Sequence, residues 1–200
     1  MREAVLRYLG YQTGATVDAL TDKLINSALH ELLTIAEFRY TYAFYDTPQP
    51  FMLAHPAYSD YLAGSEGYLL CACTLGIGVD RRLKRLQMEE MAYAVVFDAA
   101  AGAFVERKAD EFEKNLPYKA LGFRFCPGYQ GTPLSDNKEI ARLAKAEQIG
   151  ISFLNSGLML PMKSMTGIVR IGGNTRKSCA NCVAKGACSW LSRGERCYIQ

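Results

Sequence analysis

Four cysteines in KSCANCVAKGACSWLSRGERCYIQ are the residues whose type and spacing speak most directly of chemistry. Cys179, Cys182, Cys188 and Cys197 follow the pattern C-x2-C-x5-C-x8-C, four thiols within 19 residues. A C-x-x-C pair lets two thiolates grip one metal centre from a single turn, and two further cysteines complete a four-ligand set. Core packing does not explain such a density, and disulfides are disfavoured in the cytosol, where this chain is expected. Two metals suit the thiols. Structural zinc usually joins two C-x-x-C knuckles, whereas a single knuckle with irregular compact spacing favours a four-iron four-sulfur cluster (4Fe-4S). A zinc staple for a tail too small to hold itself is the alternative.

The second chemical stretch is RFCPGYQGTP at 124–133. Arg124 can offer a planar fork to a carboxylate or phosphate, Gly128 lets backbone approach a ligand closely, and Tyr129 adds a stacking face. The plainer reading pairs Arg124 with a surface acid and uses Tyr129 to cap the core. Cys126 has either a packing or a ligand role, and Cys71 and Cys73 read as small apolar residues on one face of a buried strand. His30 and His55 are the only histidines, and both read as structural or solvated. Without an HExxH motif, a nucleophile elbow or a Walker loop, hydrolase and nucleotidase functions have little support.

The elements that must position these groups are legible as patterns. Leu20, Leu24, Ala28, Leu29, Leu32, Leu33 and Ala36 recur at helical spacing, with Asp18 as the expected cap. EFRYTYAFYD alternates as a strand, with Phe38, Tyr40, Tyr42 and Phe44 on one heavily covered face. GYLLCACTLGIGVD reads as a buried strand and a Gly76/Gly78 turn. Two helices, or one bent one, are expected from about Asp80 to Leu116, with Val95, Ala99, Gly102, Ala103 and Glu106 on a shared face. LGFRFC is expected as a strand. SDNKEIARLAKAEQIG is expected as a helix with a capping box of Asp136 and Glu139, ended by Gly150. ISFLN, LMLPM and SMTGIVRIG read as short strands. The fold class is α+β, a twisted and mostly antiparallel sheet with packed helices over 1–173, followed by a small metal-binding appendage at 174–200.

The stretch LGFRFCPGYQGTPLSDNKEIARLAKAEQIGISFLNSGLMLPMKSMTGIVRI resembles the activation domain of cobalamin-dependent methionine synthase in the order and spacing of its motifs. An arginine, three residues and Gly-Tyr are followed by a helix, a strand pair with a Pro-containing turn, and a Ser-x-x-Gly strand. TLGIGVD with a long Ala/Glu helix is similar to the segment upstream, so the likeness covers about residues 67–172. The resemblance implies that Arg124, Gly128 and Tyr129 hold S-adenosylmethionine while Cys126 and Pro127 shape the loop. It implies repair by reductive methylation: a low-potential donor, such as flavodoxin or ferredoxin, reduces cob(II)alamin, and S-adenosylmethionine traps the product as methylcobalamin. It also implies a place in methionine biosynthesis. Two departures stand out. An Arg and a Glu that the family carries on its long helix fall here on Ala99 and Gly102, with Glu106 one turn further on the same face. The 200 residues also hold no cobalamin-binding or substrate-binding module, so the corrinoid is expected on a separate methyltransferase or methionine synthase module.

Composition narrows the rivals. Half the residues are hydrophobic and 22% are charged, which suits a folded body and excludes a disordered chain. No apolar run reaches membrane-spanning length, and the start lacks a secretory signal. The net charge of +3 argues for no nucleic acid, although residues 174–200 hold five Lys/Arg against the single acid Glu195. These basic groups would stabilise a thiolate-rich site or steer an acidic partner. A rival reading keeps the fold but makes the protein a docking or iron-sulfur electron-transfer adaptor that does not bind S-adenosylmethionine.

Overall fold

The computed structural model describes residues 1–173, 179, 182 and 185–196. In chain order the elements are α1 (Arg2–Tyr8), α2 (Ala19–Ile35), β1 (Arg39–Tyr45), α3 (Pro56–Leu62), β2 (Gly67–Thr74), α4 (Ile77–Glu89) and α5 (Met91–Glu113). After these come α6 (Asp136–Leu143), β3 (Ser152–Phe153), β4 (Met159–Leu160) and β5 (Ser164–Ile171). The fold is α+β. Among the described residues no helix is long and apolar enough to cross a membrane.

The chain forms two compact units, each assembled from separate stretches. The first takes Met1–Tyr40, Cys73–Phe112 and Ile149–Ser164. Here α2 packs on α1 and α4, and the Asp18 side chain accepts the Thr21 N–H at 2.9 Å, as a cap should. The buried face of α2 is Ile25, Ala28 and Leu32, whereas Leu20 and Leu33, expected inside, lie outside. The apolar residues wrap more than one stripe, so the neighbours α1 and α4 select the face. Gly76 takes φ +81° and turns the chain into α4, while Gly78 belongs to the first turn of that helix. The expected long helical stretch is two helices, α4 and α5, parted at Glu90.

The second unit takes Thr41–Ala72, Glu113–Gln148 and Met165–Gln200 and is built on the three-stranded sheet, in the order β1-β2-β5. Central β2 is buried at every residue, which explains why GYLLCACT shows no polar alternation. Cys71 and Cys73 are both buried core residues, and the Cys71 thiol donates to the Gly167 carbonyl at 3.3 Å. The aromatic face of edge strand β1 is less covered than its pattern predicts. Tyr42 and Phe44 are 36% and 48% exposed, sheltered in part by the Tyr118 ring.

Two further expectations are corrected. LGFRFC forms isolated antiparallel bridges, Leu121 to Ile171 and Phe125 to Ile168, in place of a strand. From one bridge to the next, four steps along this stretch run against three along β5, so the register slips by one and no continuous ladder forms. The capping box at α6 is absent: the cap is Ser135 without a side-chain bond, Asp136 accepts from Tyr58, and Glu139 pairs with Arg142. Lys145, with φ +56°, ends that helix well before Gly150.

Candidate functional site

Phe125 is the hinge on which Arg124 is set. Its N–H and carbonyl bond Ile168 of β5, each at 2.8 Å, and its fully buried ring lies among Tyr58, Tyr61 and Tyr129, with centroids 5.1–5.7 Å away. That pairing lays Arg124 across Gly167. A Cβ at Gly167 would come within 2.5 Å of Arg124 Cγ and 2.9 Å of Cδ. The Arg124 side chain is 7% exposed, and its fork meets the Glu113 carboxylate, itself 10% exposed. Nε donates to Oε1 at 2.8 Å and Nη2 to Oε2 at 3.2 Å. Such a two-point pair fixes the guanidinium plane as well as its charge.

Beyond Arg124 the chain forms a tight turn. Pro127 is buried and Cys126 half-buried. Gly128 has φ +97°, a conformation that only glycine adopts readily, and its N–H reaches both the carbonyl and the hydroxyl of buried Thr132, at 3.0 and 3.1 Å. Thr132 closes the turn from the other side by donating its N–H and hydroxyl to the Tyr129 carbonyl. Tyr129 stands 40% exposed, with its ring edge-on to Phe125. Beneath the turn, Tyr58 donates to Asp136 at 2.7 Å, and burial followed by this bond pushes its hydroxyl well above the usual tyrosine range. Burial does the same to Tyr61, which donates to the Phe123 carbonyl. The structure therefore brings Arg124, Cys126, Pro127, Gly128 and Tyr129 into one braced turn. Sequence reading gave no role to Glu113, which lies in no recognisable motif, nor to Thr132 and Gly167, which sit inside the RFCPGYQGTP and Ser-x-x-Gly stretches.

No family model and no curated protein matches this sequence. Among solved structures, a crystal structure described as the MetH reactivation domain bound to AdoHcy is similar over 96% of this chain and 77% of that chain, with a TM-score of 0.57 and 14% identity. The fold is that of the MetH reactivation domain. At this identity the likeness speaks for the fold alone.

On the MetH reactivation fold, the α5 face at Ala99 and Gly102 is occupied in its own way. A Cβ on Gly102 would lie 2.9 Å from the Tyr8 ring, and the Tyr8 hydroxyl donates to Glu106 at 2.8 Å. Gly102 thus makes room for Tyr8, and Glu106 is that ring's acceptor. Ala99 lines a cleft of about 410 Å³ with Tyr8, Met91, Val95 and Asp98.

In the tail, Cys179, Cys182 and Cys188 are half-buried and form no disulfide with one another. Cys182 N–H turns back to the Cys179 carbonyl at 3.4 Å, and Leu191 N–H points at Cys188 Sγ at 3.5 Å, the kind of donor that stabilises a thiolate. Among the described residues no three metal-ligating side chains are gathered, and Cys197 lies outside the described residues. The Arg193 guanidinium covers the Trp190 ring at 5.0 Å.

Proposed function

We propose that this chain reactivates a cobalamin-dependent methyltransferase of the methionine synthase type. On this reading the Arg124–Tyr129 turn holds S-adenosylmethionine, with Tyr129 as the stacking face and the Gly128 turn as the close backbone approach. The methyl group passes to reduced cobalamin on a corrinoid-binding partner, leaving methylcobalamin and S-adenosylhomocysteine. An uphill one-electron reduction of cob(II)alamin, supplied by a flavodoxin- or ferredoxin-like donor, is thereby drawn forward by an exergonic transfer. The observation that carries the reading is the Arg-x-x-x-Gly-Tyr turn, braced by Phe125 and Thr132, within a MetH reactivation fold.

The thiols of Cys179, Cys182, Cys188 and Cys197 suit an iron-sulfur cluster, which would supply a low-potential electron, or a zinc ion, which would supply a staple. Anaerobic purification with iron, sulfide and zinc analysis distinguishes them: we expect a brown protein absorbing near about 400 nm. A colourless protein with stoichiometric zinc removes the cluster from the reading. For the turn, calorimetry with S-adenosylmethionine and S-adenosylhomocysteine should show binding that is lost in Arg124→Ala.

One observation favours a second reading. The Arg124 fork is already engaged by Glu113, as it would be in an adaptor that docks on a corrinoid protein without S-adenosylmethionine. Retained affinity for a corrinoid protein together with no S-adenosylhomocysteine binding would establish that alternative.

A further inference from the structure

We infer that α4 and the start of α5 form a docking groove for an acidic amphipathic helix of a protein partner. The sequence of α4 places three cations, Arg81, Lys84 and Arg85, on one face, because positions three and four apart are neighbours on a helix. All three are exposed. Arg82, on the flank of the same helix, pairs with Glu31 of α2 and reaches Glu89 at 3.9 Å. No carboxylate among the described residues pairs with the outer three. Charge alone would make this an ordinary solvated face, and what distinguishes it is the apolar cleft alongside. One turn beyond Lys84, Gln87 lines the cleft of about 410 Å³, whose other walls include Tyr8, Leu9, Met91 and Val95. Met88, Met91 and Val95 are 83%, 61% and 54% exposed, a concentration of apolar surface that favours cover by another molecule. The whole groove lies within the first unit.

The spacing sets the pattern of the occupant. Arg81 and Arg85 lie about 6 Å apart along the helix axis, so carboxylates at i and i+4 of an opposing helix meet them, while apolar side chains on its adjoining stripe enter the cleft. Electrostatic complementarity of this kind fixes the register of a partner as well as attracting it. A second copy of this chain is a poor occupant, since Glu111 of α5 and Glu139 of α6 are already paired within their own helices, with Arg107 and Arg142. A bilayer has no side chain with which to fill a concave cleft. A phosphate chain would meet the Asp98 carboxylate, which lines the cleft on the α5 side. None of the groove residues belongs to the Arg124–Tyr129 turn, so its test and that of the proposed function are read separately.

The test is fluorescence anisotropy of the full chain with a labelled helical peptide of about 18 residues, long enough to form a helix, that carries glutamates at i and i+4 beside a leucine stripe. A second peptide has lysine in place of each glutamate. The acidic peptide should bind at least about 10-fold more tightly, because several modest surface attractions become repulsions in its counterpart. Reversing the stripe with Arg81→Glu, Lys84→Glu and Arg85→Glu together should invert that preference. Val95→Asp should weaken the acidic peptide by about 10-fold, since it places a charge where the leucine stripe docks. Acidic and lysine peptides that bind within about 3-fold of each other overturn the inference, as does a stripe reversal that leaves the preference unchanged. Tighter binding to phosphatidylserine-containing vesicles, or to a random-sequence DNA duplex, than to the acidic peptide would make a membrane or nucleic acid the occupant and overturn it equally. The substituted residues are exposed, so circular dichroism should be unchanged. Where a variant does not fold, the wild-type comparison of the two peptides decides alone.

Discussion

Two places in this molecule use the same local device. In the second unit Gly167 makes room for Arg124, whose charged end meets Glu113; in the first unit Gly102 makes room for Tyr8, whose hydroxyl meets Glu106. The difference between them is burial. Arg124 and Glu113 lie out of water, so breaking their pair is costly, whereas Tyr8 is 51% exposed and water can replace either partner of its bond. A glycine beneath a long side chain therefore says nothing by itself about how strongly that side chain is held. The environment at its far end decides.

The comparison is broken or sharpened by substitution, with unfolding in urea as the measurement. Glu113→Ala should have the largest effect, about 3–5 kcal/mol, because it breaks a buried two-point ion pair. Glu106→Ala, its counterpart, should cost no more than about 1 kcal/mol. Equal losses at the two positions would erase the distinction drawn here. Gly167→Ala comes next, at about 1–3 kcal/mol, since the added methyl meets the Arg124 stem and lies 3.3 Å from the Phe125 carbonyl, which is itself bonded to Ile168.

Gly102→Ala should stay within about 0.5 kcal/mol of the wild type. The half-exposed Tyr8 ring can swing aside, and alanine gains about 1 kcal/mol of helix propensity over glycine. Between these extremes falls Gly128→Ala, at about 1–2 kcal/mol, for a residue held at φ +97°. It should also lose S-adenosylhomocysteine binding in calorimetry if the turn is the site. The smallest effects lie at the surface. Bonds from the Thr21 backbone and hydroxyl hold Asp18 below the usual carboxylate range, and the bond from Arg142 does so for Glu139. A lowered pKa in the folded state stabilises it above the ordinary carboxyl pKa of about 4 and loses that contribution as pH falls through the lowered value. Asp18→Ala should accordingly flatten the acid limb of a stability profile and leave neutral and alkaline pH dependence unchanged.

Local signals were dependable where one interaction dominates. Asp18 caps its helix, GYLLCACT is a buried central strand, and the Gly128 turn forms as its composition requires. Patterns with two possible partners were not. Asp136 and Glu139 have the spacing of a capping box, yet Tyr58 and Arg142 claim them, and a hydroxyl supplied by a distant segment is invisible to local spacing. LGFRFC has the alternation of a strand and pairs only through bridges at Leu121 and Phe125, because its register against β5 slips by one residue between them. Likewise, Gly102 reads in sequence as a lost acid, and the structure fills its place with Tyr8.

The order of residues determined which groups are available: a Gly-Tyr turn after an arginine, a four-thiol tail, helices and strands in a workable succession. Each of these depends on neighbours within a few positions, where propensity, turn geometry and spacing act directly. Tertiary structure alone decided what Arg124 faces, which face of α2 is inside, and why positions 102 and 167 are glycine. Those outcomes depend on side chains that are distant along the chain, and whether a charge or a ring is held firmly is settled by the water that folding excludes around it.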